Sequence, residues 1–134
     1  MDVLDTTAVS AAMRNESAMV EFLKARQPGD IAVVPPVVAE IEYGIQRLVP
    51  ESKKRSLLSD QRTKLFAAVR VLDWTPQASV HFGSIKAALE FTGRLIDDFD
   101  IAVAAIALAH DAEVITANLP HFARIEGLRS RHWT

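Results

Sequence analysis

The sequence has no cysteine among its 134 residues, which excludes disulfide bonds and thiolate metal ligands. It also has no long apolar run: the longest, residues 101–109, is about half of the roughly 20 residues that cross a bilayer. The N-terminal segment carries Asp2 and Asp5 and lacks the basic start and apolar stretch of an export signal. We therefore expect a cytoplasmic protein with no membrane segment.

The chain also lacks the basic surplus that is common in nucleic-acid-binding proteins. Fifteen Lys and Arg residues stand against 17 Asp and Glu residues, and the formal net charge is −2. This balance argues against a protein that coats nucleic acid. It remains compatible with a nuclease, because an enzyme that holds cations on carboxylates meets phosphate through the metal. The ordinary share of hydrophobic residues, 49%, predicts one packed domain over residues 1–134.

Short apolar segments alternate with helical patterns along the whole chain. This alternation predicts an α/β fold with a mostly parallel sheet. Thr6 or Thr7 is expected to cap the first helix, because a threonine oxygen accepts from the N–H groups of a first turn. The predicted strands are residues 1–5, 31–34, 71–72, 113–116 and 128–133, and the predicted helices are 6–14, 18–26, 37–48, 50–69, 78–91 and 101–110, with one helical turn at 119–124.

Polar side chains stand at the ends of several predicted elements. Asp5 ends the first strand, Asn118 follows the strand 113–116, and Asp100 directly precedes the most apolar helix. Functional groups gather at the carboxyl ends of parallel strands, so these residues are candidates for one site. Each also has an ordinary structural role, as a helix cap for the two aspartates and as a turn residue for Asn118. Asp97 and Asp98 would repel Asp100, which indicates either a nearby cation or solvent exposure.

Glu40 and Glu42 lie on one predicted helix, roughly 200° apart around its axis, so they cannot share a face. Glu40 has more apolar neighbours and is therefore the candidate for the site. The ordinary alternative is that it is a solvated glutamate on an exposed helix face.

Together these oxygens have the chemistry of a hard-cation site. Mg²⁺ and Mn²⁺ take carboxylate oxygens, waters and substrate phosphate as ligands. Ions held by Asp5 and Asp100, with Glu40 positioning a second ion or a water, would polarise a phosphodiester and activate a water. Asn118 would join as a neutral fourth member.

At these positions the sequence resembles a PIN domain, and within that family the VapC-type toxins of bacterial toxin–antitoxin pairs. The resemblance covers nearly the whole chain through four motifs in order. Thr7 stands where the family usually has asparagine, and Asn118 occupies the fourth acidic position. The motifs are residues 3–6, 38–44, 93–105 and 116–128.

The resemblance implies a three-layer α/β/α sandwich and an endoribonuclease dependent on Mg²⁺ or Mn²⁺. It implies Asp5, Glu40, Asp100 and Asn118 as the catalytic residues, with Asp5 and Asp100 as metal ligands. It also implies an RNA substrate, a cognate antitoxin that blocks the acidic pocket, a homodimer, and larger assemblies of toxin with antitoxin.

Two other functions compete with this interpretation. A receiver-like signalling module would need a second acid after the first strand and a late lysine, but Thr6 and Thr7 follow Asp5 and no lysine follows residues 113–116. A catalytically inactive PIN-like binding domain would share the fold without the metal chemistry, and the retained acids argue against it.

Overall fold

A wholly parallel sheet of five strands lies at the centre of the computed structural model, which describes all residues from 1 to 134. Each strand is short and overlaps a segment predicted as a strand from the sequence. In chain order they are β1 (Asp2–Leu4), β2 (Ile31–Val33), β3 (Arg70–Val71), β4 (Glu113–Ile115) and β5 (Ser130–Arg131).

Seven helices connect or flank these strands, and none is long and apolar enough to cross a bilayer. Pro35 and Pro36 open the third helix, where a missing N–H group costs nothing because the first turn has no partner for it. The helices are α1 (Thr6–Met13), α2 (Ser17–Lys24), α3 (Pro35–Gln46), α4 (Lys53–Ala68), α5 (Pro76–Phe91), α6 (Asp98–Ala109) and α7 (Leu119–Phe122), with a 3₁₀ turn at Pro28–Asp30.

The strand order is β3–β2–β1–β4–β5, so the chain builds outward from β1 in both directions. Because parallel crossovers are right-handed, α1 to α4 cover one face of the sheet and α5 and α6 cover the other. The predicted three-layer α/β/α architecture is therefore confirmed. The order also differs from the 2-1-3-4-5 order of the receiver fold, which argues against a signalling module.

The chain passes from β1 to β2 and β3 on one side of β1, and then crosses to β4 and β5 on the other side. The reversal of strand order between β1 and β4 leaves a crevice at the carboxyl ends of these two strands. The residues at the crevice are Asp5, directly after β1, and Thr116, directly after β4. Both are almost completely buried, and they are the only buried polar residues of the chain.

Buried apolar residues lie on both faces of the sheet, and the apolar helix α6 contributes the longest continuous buried segment. Seven consecutive residues of α6, from Ile101 to Ala107, are buried, as its apolar sequence predicts. They pack among residues of β1 and β4 such as Val3 and Ile115, which are fully buried. This packing fixes the first turn of α6 beside the crevice.

Next to the crevice, one helix cap and one helix start differ from the sequence prediction. Asp5 caps α1 in place of Thr6 or Thr7, because its carboxylate accepts from the backbone N–H of Ala8 at 3.0 Å. Helix α6 begins at Asp98, so Asp100 lies inside the first turn and does not precede the helix. A short acidic segment can enter the helix because negative side chains are favourable near its positive N-terminal end.

Candidate active site

Asp5 is held by three hydrogen bonds in the crevice at the carboxyl ends of β1 and β4. Its Oδ1 accepts from the Thr7 hydroxyl at 2.6 Å and from the Ala8 backbone N–H at 3.0 Å. Its Oδ2 accepts from the Thr116 hydroxyl at 2.5 Å. The residue is only 2% exposed, so the carboxylate is fixed by protein groups.

Opposing effects act on the pKa of Asp5, and the net result is a pKa above the ordinary value of 3.8. Burial is the largest cause, because it removes water from the charged form. The hydrogen bonds from Thr116, Thr7 and Ala8 act in the other direction by stabilising the charged form, and the negative charge of Asp100 adds a smaller increase. Asp100 is therefore close enough to Asp5 for repulsion, as expected for two ligands of one cation.

Glu40 lies on α3 and is linked to the start of α1. Its Oε1 accepts from the Thr6 hydroxyl at 2.6 Å, and both residues line a cavity of about 400 Å³ between α1, α3 and α4. Glu42 faces elsewhere and forms an ion pair with Arg62 of α4. The two glutamates therefore face different groups, and Glu40 is the one connected to residues next to Asp5.

Asp100 contacts an imidazole from the far side of the site. His121 of α7 donates from Nδ1 to Asp100 Oδ2 over 2.9 Å. The two neighbouring acids have separate functions, since Asp97 caps α6 by accepting from the Phe99 N–H at 2.7 Å and Asp98 pairs with Lys86. The acidic segment is thus divided into a cap, an exposed ion pair and a half-buried carboxylate.

Asn118 follows β4 and is tied to Asp5 through one residue. Its backbone N–H donates to the Thr116 hydroxyl at 2.8 Å, and that hydroxyl donates to Asp5. Its side chain forms no capping bond with α7 and is half-buried.

Charge compensation separates the candidate acids from the others. Four half-buried acids, Asp2, Glu16, Glu42 and Glu113, each pair with an arginine. Asp5 and Glu40 have no basic partner, and the only one of Asp100 is a histidine. Negative charges that are poorly solvated and have no basic partner favour the binding of a cation.

The number of carboxylates that can reach one ion is small. No three His, Asp or Glu side chains lie close enough together to hold a metal ion as a group. Asp5 and Asp100 still fit a Mg²⁺ or Mn²⁺ site, because these ions commonly use one or two carboxylates and complete their shell with water and substrate oxygens. Glu40 lies to one side, beyond Thr6.

Sequence reasoning missed the groups that position the acids: Thr6, Thr116 and His121 were not among the expected site residues. The signals were present but weak. Thr6 is adjacent to Asp5, Thr116 ends a strand as Asp5 does, and His121 follows Asn118 by three residues. Their relevance depends on which carboxylate each one reaches, and this is a property of the folded chain.

Comparison with known proteins agrees with this geometry. The sequence profile of the PIN domain matches residues 3–128, almost the entire chain. The chain belongs to the PIN domain family. The match begins at β1 and ends between α7 and β5, so it includes every candidate acid and both sides of the crevice.

Two relatives with assigned functions match this PIN domain along its length. Ribonuclease VapC2 of Haemophilus influenzae is 29% identical over 98% of this chain and 96% of its own length. The tRNA(fMet)-specific endonuclease VapC of Shigella flexneri is 25% identical over 98% of this chain and 97% of its own.

Solved structures share the PIN fold. VapBC2 of Rickettsia felis, bound to a DNA fragment from its promoter, has a TM-score of 0.88 at 24% identity and covers 99% of this chain and 98% of that one. VapBC-1 of nontypeable Haemophilus influenzae has a TM-score of 0.83 at 25% identity, covering 98% and 97%.

Proposed function

We propose that this protein is the toxin of a toxin–antitoxin pair and an endoribonuclease that hydrolyses RNA phosphodiester bonds with Mg²⁺ or Mn²⁺. The proposal depends on the pair Asp5 and Asp100, whose negative charges act on each other at the crevice between β1 and β4. Neither carboxylate has an arginine or lysine partner. The full-length similarity to proteins named ribonuclease VapC supports RNA as the substrate.

The roles of the residues follow from their placement. Asp5 and Asp100 would hold the ion, which when bound polarises the phosphodiester and lowers the pKa of an attacking water. Glu40, fixed by Thr6, would orient a water or a second ion from the side of α3. Asn118 would offer an amide oxygen or N–H group to substrate or water without adding negative charge. His121 holds the Asp100 carboxylate in one orientation.

The partners are proposed from the relatives. Solved structures of similar chains are VapBC complexes, so we infer a cognate antitoxin that covers the crevice. We also propose a homodimer and larger assemblies with the antitoxin, as the resemblance to VapC-type toxins implies. A cytoplasmic location follows from a cellular RNA substrate.

The decisive experiment compares three variants of purified protein on labelled RNA with and without MgCl₂. Asp5→Asn and Asp100→Asn should abolish cleavage and relieve growth arrest on expression. Asp30→Asn is the control, because Asp30 is an exposed carboxylate of the 3₁₀ turn with no ion pair. Cleavage that persists in Asp5→Asn, or that survives EDTA, would reject the mechanism.

The inactive-domain alternative makes a different prediction. A binding module would take up Mn²⁺ weakly or not at all, and Asp100→Asn would leave its calorimetric titration unchanged. The toxin proposal expects Mn²⁺ binding by the wild-type protein and its loss in Asp100→Asn.

A further inference from the structure

Two threonine hydroxyls hold the two oxygens of the Asp5 carboxylate. Thr7 donates to Oδ1 over 2.6 Å and Thr116 donates to Oδ2 over 2.5 Å. Each hydroxyl is itself bonded to the backbone that follows β4. Ala117 N–H donates to Thr7 at 2.9 Å, and Asn118 N–H donates to Thr116 at 2.8 Å.

The direction of these bonds is determined by chemistry. A backbone N–H group is always a donor, so each hydroxyl accepts from its amide. A hydroxyl has a single proton, and accepting from the amide uses a lone pair and leaves that proton free. Thr7 and Thr116 therefore each donate their proton to Asp5. The two chains of hydrogen bonds run in parallel from consecutive amides, through one hydroxyl each, to opposite oxygens of one carboxylate.

We propose that Thr7 and Thr116 are positioning residues, a hydroxyl clamp that fixes the Asp5 carboxylate for metal binding and ties it to the 117–118 backbone. This inference rests on the proposed function, since it assigns Asp5 as a ligand. The clamp holds the carboxylate plane, so the remaining lone pairs keep one direction. It also fixes the backbone that carries Asn118 relative to Asp5.

Thr7 is the informative half of the clamp. It occupies the second position of α1 and is bonded to Ala117, a residue 110 positions away in the chain. One oxygen atom serves as both acceptor and donor. Thr116, in contrast, is fully buried at the end of a core strand, so its replacement would also disturb packing.

The test uses two substitutions at Thr7 and one control. Thr7→Val removes the hydroxyl with little change in shape, and Thr7→Ser keeps the hydroxyl and removes the methyl group. Thr63→Val is the matched control, because the Thr63 hydroxyl bonds only to the Ser59 carbonyl on an exposed face of α4. Mn²⁺ affinity is measured by calorimetry and backbone amide exchange by NMR, with thermal unfolding as a check on folding.

Thr7→Val should weaken Mn²⁺ binding on the order of 10-fold, as expected when a group that orients a metal ligand is lost. Its Ala117 amide should exchange roughly 5-fold faster, because its acceptor is gone. Thr7→Ser and Thr63→Val should behave as the wild type in both measurements. Wild-type Mn²⁺ affinity in Thr7→Val, or an equal loss in Thr7→Ser, would overturn the proposal.

The two readouts separate this inference from the function on which it rests. If the wild-type protein bound no Mn²⁺, the proposed function and the metal-positioning role would both be rejected. The exchange of Ala117 in metal-free protein would still decide whether the clamp exists. Unchanged exchange in Thr7→Val would overturn the clamp whatever the metal does.

Discussion

Replacing Asp5 by alanine should remove activity and stability together, because we propose this carboxylate as a metal ligand and its hydrogen bonds also hold the fold. It caps α1 through the Ala8 N–H and is the acceptor for the hydroxyls of Thr7 and Thr116. An alanine retains none of these bonds. Loss of activity in Asp5→Ala alone would therefore not identify a metal ligand.

The size of the destabilisation follows from the individual bonds. Loss of the helix cap costs about 1 kcal/mol. Thr116 is fully buried, and leaving its hydroxyl without an acceptor costs about 1–3 kcal/mol. Thr7 is half-buried, so water replaces most of its lost bond. The free energy of unfolding should fall by about 2–4 kcal/mol, partly offset because a desolvated charge is removed.

Asparagine at the same position separates the two roles of Asp5. Its amide oxygen still accepts from Ala8 and Thr7, but its NH2 group faces Thr116 and cannot accept from that hydroxyl. We therefore expect the helix cap to survive, a loss of stability of at most about 1–3 kcal/mol that is smaller than in Asp5→Ala, and no RNA cleavage. Urea unfolding followed by circular dichroism measures the stability, and a labelled-RNA assay in MgCl₂ measures the cleavage. An Asp5→Ala protein as stable as the wild type, or an active Asp5→Asn protein, would refute the reasoning.

Three further outcomes follow from the same contacts. The pKa of Asp5 is raised in the folded state, so the stability of the wild type relative to Asp5→Asn should depend on pH. This difference should be greatest below pH 3.8 and should fall as the pH rises through the raised pKa. Urea unfolding at a series of pH values in EDTA measures it. Thr6→Val should release Glu40 and lower kcat about 10-fold, and Thr6→Ser should restore it. His121→Ala should weaken Mn²⁺ binding on the order of 10-fold by releasing Asp100, and an unchanged calorimetric titration would contradict this.

The elements that carry the site were predictable because their signals are local. The apolar residues before Asp5, the prolines that open α3 and the continuous apolar sequence of α6 define those elements from neighbouring residues alone. The strand ends then placed Asp5 and the segment after β4 at one edge of a parallel sheet. Helix geometry and the four-motif resemblance together favoured Glu40 over Glu42.

The hydrogen-bond partners were not predictable in this way. Thr116 reaches Asp5 across 111 positions of sequence and Thr6 reaches Glu40 across 34, so each bond depends on how strands and helices pack. The start of α6 was misplaced for a related reason. Asp97 and Asp100 are equally good caps by residue type, and only the backbone decides that Asp97 fills the role.

The choice of donors around Asp5 suits the cation ligand that we propose this buried acid to be. An arginine would stabilise the carboxylate more strongly than a hydroxyl, but it would also neutralise the charge that attracts a metal. Two hydroxyls and one backbone amide fix the orientation of Asp5 and leave its negative charge in place. Asp100, bonded to an imidazole, follows the same principle. Elsewhere in the chain, half-buried acids such as Asp2 and Glu42 pair with arginines. The absence of an arginine partner at Asp5 and Asp100 therefore distinguishes the acids of the candidate site from those that stabilise the fold.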